Sequence, residues 1–240
     1  MKGAGVVVAL AAEARTLGRA VRRPDGLWSL SGGALLCVGG MGPGLAMIAA
    51  RRLADAGAAG LVSFGLAGGL DPALSAGSIV LPHEIISRDG ARYRATEAWR
   101  GPLSALMARA RPVAAGTVLT SAVSIAAVAD KAAAFRETGA VAVDMESSGV
   151  AEVAAARGLP FIAARAIVDT AADALPPAVE AAGVAGHLNM PRLIVGLASA
   201  PLDLIALIGL ARRYWAAIRA LKWVVCAGLL TPPGGGTGVT

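Results

Sequence analysis

Aromatic side chains are scarce in this sequence, 4% of its residues, so the core has to be built from aliphatic groups. Cysteine occurs twice, Cys37 and Cys226, each inside an apolar run. That number excludes a disulfide framework, and the surroundings read as two buried thiols without metal spacing. Histidine also occurs only twice, His83 and His187, which argues against a His-based metal site, and no metal is expected. Acidic residues are the minority charge, 16 against 22 Lys and Arg, for a net +6. A basic balance suits nucleic acid or an anionic membrane. The positive residues are not interleaved with aromatics until the C-terminal region, so nucleic acid is not the expected partner. The apolar run Val6 to Ala12 is short, Glu13 and Arg15 follow it, and it carries no cleavage motif. It reads as a buried strand, and the expected location is the cytoplasm.

What the sequence has in quantity is aliphatic residues and glycine: 56% of 240 residues are hydrophobic and 31 are Gly. No Ser/Pro-rich linker interrupts them, so one main domain is expected over residues 1–200. Val/Ile-rich runs alternate with Ala-rich helical stretches, which predicts an α/β fold. Strands are expected at 5–11, 61–69, 78–81, 116–119, 140–143 and 160–168, with a hairpin over 27–38. Helices are expected at about 45–56, 103–111, 125–138 and 147–157, the last closed by Gly158 ahead of Pro160. Residues 83–102, with Arg88, Arg92, Arg94 and Arg100, read as an irregular, solvated excursion. The tail from 231 to 240 is turn-forming, and disorder is expected there.

The stretch 140–174 carries the strongest chemical signal. Asp144-Met145-Glu146 and Asp169-Thr170 each stand where a strand stops, and parallel α/β sheets place ligand sites at the carboxyl ends of strands. Glu146 and Asp169 are therefore expected as neighbours on adjacent strands. Glu13 follows the first strand and has two readings, a first-turn acid favoured by the helix dipole or a functional carboxylate. The loop Gly39 to Gly44 lets backbone approach a ligand, but it is neither a P-loop nor a dinucleotide fingerprint.

Five segments in order carry a resemblance: VALAAEARTL at 8–17, GMGPGLA at 40–46, FGLAGGLDPALSAGSIVLP at 64–82, VDMESSGVA at 143–151 and ARAIVDTA at 164–171. Together they resemble the nucleoside phosphorylase/nucleosidase superfamily, most closely its methylthioadenosine/S-adenosylhomocysteine nucleosidase branch. The resemblance implies a three-layer α/β/α sandwich around a mixed, partly barrel-like sheet, assembled as a homodimer or larger. It implies an enzyme that cleaves the N-glycosidic bond of a purine nucleoside. Glu146 would bind the ribose 2′-hydroxyl and Met145 would pack against the sugar. Asp169 would protonate the purine, and Glu13 would activate the attacking water. Gly42, Leu66, Ala67, Gly68, Ser124, Ile125 and Arg165 complete the expected substrate-binding set. Positive charge builds on the ribose as the bond breaks, so a carboxylate there gains strength in the transition state.

Two departures qualify the resemblance. Ser63 and Leu66 stand where phosphorylases hold phosphate with an arginine and a hydroxyl, and neither supplies a guanidinium fork. Hydrolysis is therefore preferred, with phosphate as the alternative co-substrate and no other cofactor. Ser124 stands where nucleosidases carry an aromatic residue that stacks on adenine, which leaves base identity less defined than bond cleavage.

Residues 201–230 extend past the usual ending of small nucleosidases. Leu207, Leu210, Tyr214, Ala217, Leu221 and Val224 form one apolar helical stripe, opposite Arg212, Arg213, Arg219, Lys222, Trp215 and Trp223. Two readings remain open: a membrane-surface helix over 202–229, or a helix docked on the core or a partner subunit. The first is similar to the hopanoid-associated branch of the superfamily and implies a lipid-linked nucleoside, adenosylhopane, which loses adenine to leave ribosylhopane or phosphoribosylhopane. Alternatives are a methylthioadenosine/S-adenosylhomocysteine nucleosidase, another purine nucleoside phosphorylase, and a non-enzymatic nucleoside-binding protein.

Overall fold

In the computed structural model, residues 3–174, 183–184, 187–188 and 203–233 are described; side chains of 203–208 and 210 are not. Strand β5, Leu61–Gly69, is the axis of a 12-stranded mixed sheet. Along one edge it pairs in parallel with β12, Phe161–Asp169, from Leu61 to Gly68. Along the other edge β1, Gly5–Val8, pairs with residues 61–63 in parallel. Past a gap, β11, Ala142–Asp144, pairs antiparallel with Gly68 and Gly69. The sheet then runs outward on one side through β4, Leu35–Val38, β3, Trp28–Ser29, and β2, Val21–Arg22. On the other it continues through β10, Thr117–Thr120, β7, Glu84–Ile86, and β8, Arg92–Arg94. β12 also pairs with β6, Ile79–Val80, which pairs with β9, Val113–Ala114. The sheet is mixed, as expected, and it branches at β5, one edge of which serves β1 and then β11.

Extended residues alternate between faces, and here each face is buried. Val6, Val8, Val62, Phe64, Ile162, Ala164 and Ala166 face one core, with Trp99, Leu103 and Met107 of α3, Glu97–Ala108. Val7, Leu61, Ala67, Phe161, Ala163 and Ile167 face the other, covered by α2, Pro43–Asp55, and α5, Ser147–Arg157. Three layers result. Helices α2 and α5 touch through backbone: a Cβ on Gly149 would stand 2.1 Å from the Pro43 carbonyl oxygen.

Several expectations need correction. Residues 83–102 are not irregular: β7 and β8 form a hairpin, and α3 begins at Glu97 with Pro102 inside it. The polar pattern there is that of an edge strand exposing Arg92 and Arg94 on either side of Tyr93. Trp99, Leu103 and Met107 recur every fourth residue, and burying that stripe holds α3 together despite the proline. β11 and β12 are not adjacent; both flank Gly68 of β5, because β11 is antiparallel and joins the opposite edge. Cys226 is exposed, not buried, while Cys37 is buried.

The C-terminal helix, α6, Asp203–Cys226, packs over β12, with α4, Val128–Thr138, and the short α1, Ala11–Ala14, completing the helices used below. Ala217, Ile218, Ala220, Leu221 and Val224 are buried in the first core. The apolar stripe is thus spent on the sheet, and the docked reading describes residues 211–226. Leu207 and Leu210 of that stripe lie outside the described side chains. Arg212, Trp215, Arg219, Lys222 and Cys226 share the exposed outer face, which is why Cys226 meets solvent. Among the described residues no helix is long and apolar enough to cross a membrane. Residues 234–240, like the prolines at 176, 177, 191 and 201, lie outside the described residues.

The α2–α5 contact predicts that Gly149→Val lowers the unfolding free energy in urea by about 1–3 kcal/mol, the usual cost of overpacking. Gly44→Ala, where a Cβ meets nothing within 4 Å, is the matched control and should change stability by under about 0.5 kcal/mol.

Candidate active site

The gap on the edge of β5 is where the chemistry gathers. Residues 64–67 have no strand partner there, since β1 has ended and β11 has not begun. The Leu66 N–H that the gap would orphan donates instead to Glu13 Oε1 at 2.9 Å. Glu13 Oε2 accepts from Ala9 N at 3.0 Å and Leu10 N at 2.9 Å. Both readings of Glu13 therefore hold in part: it closes the first turn of α1, and it reaches across to β5. Burial pushes its carboxyl above the ordinary value, against the pull of those amides and of Arg165.

Arg165 lies opposite Gly65 in the β12–β5 register and is 1% exposed. Gly65 is what lets it through: a Cβ there would sit 2.5 Å from Glu13 Oε1 and 2.7 Å from Arg165 Nη1. Arg165 Nε donates to Asp144 Oδ2 at 2.7 Å, and Nη2 donates to the hydroxyls of Ser63 at 2.6 Å and Ser147 at 3.1 Å. Glu146 Oε2 is 3.7 Å from Nη2. Asp144 is further held by Thr120 Oγ1 at 2.8 Å and Ser147 N at 3.3 Å. The antiparallel run of β11 is what delivers Asp144 and Glu146 back to the gap.

Glu146 Oε1 accepts from Gly42 N at 3.2 Å; Gly42 has φ of 105°, a conformation that favours glycine. Burial, together with the charges of Asp144 and Glu13, lifts the Glu146 carboxyl to about 7, with Arg165 opposing. Three acids around one guanidinium cannot all ionise cheaply in a buried site.

Asp169 ends β12 at a register shift and borders the same cavity. Its Oδ2 is bonded by Lys131 of α4, whose Nζ also donates to the carbonyls of Thr170 at 2.9 Å and Asp173 at 2.8 Å. Burial raises the Asp169 carboxyl above its ordinary value, while the bond and charge of Lys131 pull it down.

Of the expected site residues, Glu13, Leu66, Ala67, Gly68, Ser124, Ile125, Met145, Glu146 and Asp169 all line one cavity. Gly42 stands behind Glu146, and Arg165 lies beneath the carboxylates. The rest of the lining is Asp144, Met41 and aliphatic side chains that include Val123, Val143 and Val168. Sequence reading missed three buried partners: Lys131, the role of Asp144, and Ser147. For Lys131 a signal existed, since it is one of three lysines among 22 basic residues and stands in an Ala-rich helix. Among the described residues no group of three His, Cys, Asp or Glu is placed to hold a metal ion.

A three-layer α/β/α fold with buried carboxylates around an aliphatic cavity at strand ends defines a site for a small, polar-centred organic ligand. The sequence pattern of the Phosphorylase superfamily matches residues 6–185, and the chain belongs to that superfamily. Among curated proteins it is similar to futalosine hydrolase of Streptomyces coelicolor, 35% identical over 123 residues, 45% of this chain and 52% of that protein. The chain's match thus spans about half the length of that relative. Among solved structures it is similar to the 5′-methylthioadenosine/S-adenosylhomocysteine nucleosidase of S. pneumoniae, with a TM-score of 0.72, 16% identity, and 95% and 98% of the two chains covered. A futalosine hydrolase mutant of Helicobacter pylori aligns with a TM-score of 0.62 and 15% identity, over 70% of this chain and 89% of that one. These structural likenesses establish the three-layer fold.

Replacing Arg165 with Met leaves Asp144 buried without its countercharge, so unfolding free energy in urea should fall by about 3–5 kcal/mol. Glu146 makes a second prediction, with its sign fixed by linkage. Its folded value of about 7 lies above the ordinary carboxyl value of 4.5, so its stabilising share is complete below 4.5 and is lost as pH rises through 7. Urea melts of the native protein should therefore weaken between those limits by up to ~1.4 kcal/mol per pH unit. Glu146→Gln should flatten that decline; an unchanged slope would place the proton elsewhere.

Proposed function

We propose that this protein hydrolyses the N-glycosidic bond of an adenosyl-type purine nucleoside and releases the free base. The observation that carries the reading is the convergence of Glu13, Glu146 and Asp169 on one aliphatic cavity at the gap in β5. Glu13 accepts a proton from water as the water oxygen attacks the anomeric carbon. The C–N bond breaks, and Asp169 gives a proton to the departing base. Glu146 holds the ribose 2′-hydroxyl, and its charge offsets the positive charge developing on the sugar. Met145 packs against the ribose, while Leu66, Ala67, Gly68, Ser124 and Ile125 border the base. Arg165 is one shell removed: it fixes the carboxylates from below.

Water is favoured over phosphate on physical grounds. The amides of Ala9, Leu10 and Leu66 are taken by the Glu13 carboxylate. Arg165 is occupied by Asp144 and two serines. An incoming phosphate would meet four carboxylates, Glu13, Asp144, Glu146 and Asp169, and no free guanidinium among the described residues lining the cavity.

For the substrate, the lipid-linked reading, adenosylhopane to ribosylhopane, rests on the sequence resemblance and is supported by the exposed basic and tryptophan-bearing face of α6. A second reading, a futalosine-type substrate, is favoured by the 35% identity to the Streptomyces protein. Purified protein incubated separately with adenosylhopane, methylthioadenosine, S-adenosylhomocysteine or futalosine, with and without phosphate, separates them by which compound yields free base. No release from any of them overturns the proposal, and a strict phosphate requirement overturns hydrolysis. Asp169→Asn and Glu13→Gln should each lower kcat by at least about 100-fold with unchanged circular dichroism; near-native turnover in either variant removes that residue from its role.

A further inference from the structure

Lys131 is a buried cation that the reaction scheme leaves without a task. Its side chain is 0% exposed, and its three N–H groups meet three acceptors: Asp169 Oδ2 and the carbonyls of Thr170 and Asp173. Three donors matched to three acceptors are the arrangement of an ammonium, which a dry interior tolerates only with full pairing. The carbonyls belong to the turn that follows Asp169. That turn is closed by Asp173, whose Oδ2 accepts from Thr170 N at 2.9 Å and Thr170 Oγ1 at 2.7 Å. Asp173 Oδ1 is in turn 3.2 Å from Arg213 Nη1 of α6. One lysine therefore clamps both the acid and the backbone that carries it.

We infer that Lys131 is the positioning residue for Asp169: it fixes Oδ2 so that Oδ1 faces the cavity, and its ammonium stabilises the carboxylate left when the proton goes to the base. The inference rests on the nucleosidase reading above and deepens it. Oδ1 has no hydrogen-bond partner among the described residues, whereas Oδ2 is committed to Lys131, which leaves Oδ1 as the oxygen open to a ligand of the cavity that Asp169 borders. The step balances simply. The O–H bond of Asp169 breaks as a base nitrogen takes the proton, the C–N electron pair leaves with the base, and the new carboxylate lies against an ammonium already in place. The charged groups around Asp169 are Lys131 from α4, Asp173 from the turn and, through Asp173, Arg213 from α6; Glu13, Glu146 and Arg165 stand across the cavity. Lys131 is the only cation in contact with Asp169 among the described residues. Burial raises the affinity of Asp169 for a proton, and the bond and charge of Lys131 lower it; a donor works best when the two are balanced near the working pH.

The test compares two leaving groups in native protein, Lys131→Met and Asp169→Asn. One is a purine nucleoside cleaved by the native enzyme; the other is 4-nitrophenyl riboside, whose phenolate departs without a proton. Lys131→Met should lower kcat on the purine nucleoside about 100-fold with KM changed under about threefold, and its activity on the nitrophenyl riboside should stay within about threefold of native. The basic limb of its kcat profile should also move to higher pH, because Asp169 without its countercharge holds the proton longer. Equal losses on both substrates would make Lys131 a structural residue only, and native-like kcat on the nucleoside would remove it altogether; either overturns the inference while the nucleosidase reading stands. If the native protein cleaves no nucleoside, the functional reading fails first and takes this inference with it. Should Lys131→Met not fold, Lys131→Gln, which keeps an N–H for Asp169 but no charge, is read in the same way.

Discussion

A guanidinium with no exposure to water, set against three carboxylates, is the constraint around which the centre of this protein is built. Arg165 can occupy its place only because Gly65 has no Cβ and because Ser63 and Ser147 supply hydroxyls for Nη2. Desolvating an arginine costs several kcal/mol, and the cost is offset only with close, well-aligned acceptors. That requirement reaches into the topology. β1 must stop early, β11 must enter antiparallel, and α5 must start at Ser147, or the acceptors do not meet the guanidinium.

Two buried cations divide the site electrostatically. Arg165 lies under Glu13, Asp144 and Glu146, where positive charge is in deficit and one proton is retained near neutrality. Lys131 lies under Asp169 alone, where one cation faces one acid. Carboxyl groups of the same chemistry are thus placed in different environments, which is how acids and bases are separated within one pocket. Burial of these side chains lowers the local dielectric and strengthens their mutual effect.

The C-terminal helix connects these centres to the periphery. Its inner face completes the core over β12, and Arg213 ties it to the turn after Asp169. Its outer face repeats Arg212, Trp215, Arg219 and Lys222 at alternating intervals of three and four residues. An amphipathic stripe has the same sequence signature whether it packs on a sheet or on lipid. Here the apolar face is buried against the sheet, and the basic, tryptophan-bearing face is left exposed.

Local pattern determined much of this protein. The limits of β5 and α5, the left-handed closing residue Gly158, and carboxylates at strand ends follow from apolar runs, periodicity and turn residues a few positions apart. The grouping of Glu13 with Glu146 and Asp169 was legible only through the order of five motifs. Tertiary structure alone decided that β11 is antiparallel and that Glu146 and Asp169 reach the cavity from opposite edges of β5. It also decided that Arg165 lies beneath the site and that Lys131, 38 residues before Asp169, is its partner. Strand direction and the pairing of buried charges depend on contacts between distant segments. No spacing in the chain encodes them, because the energy that enforces them is the cost of leaving a charge unpaired once water has been excluded.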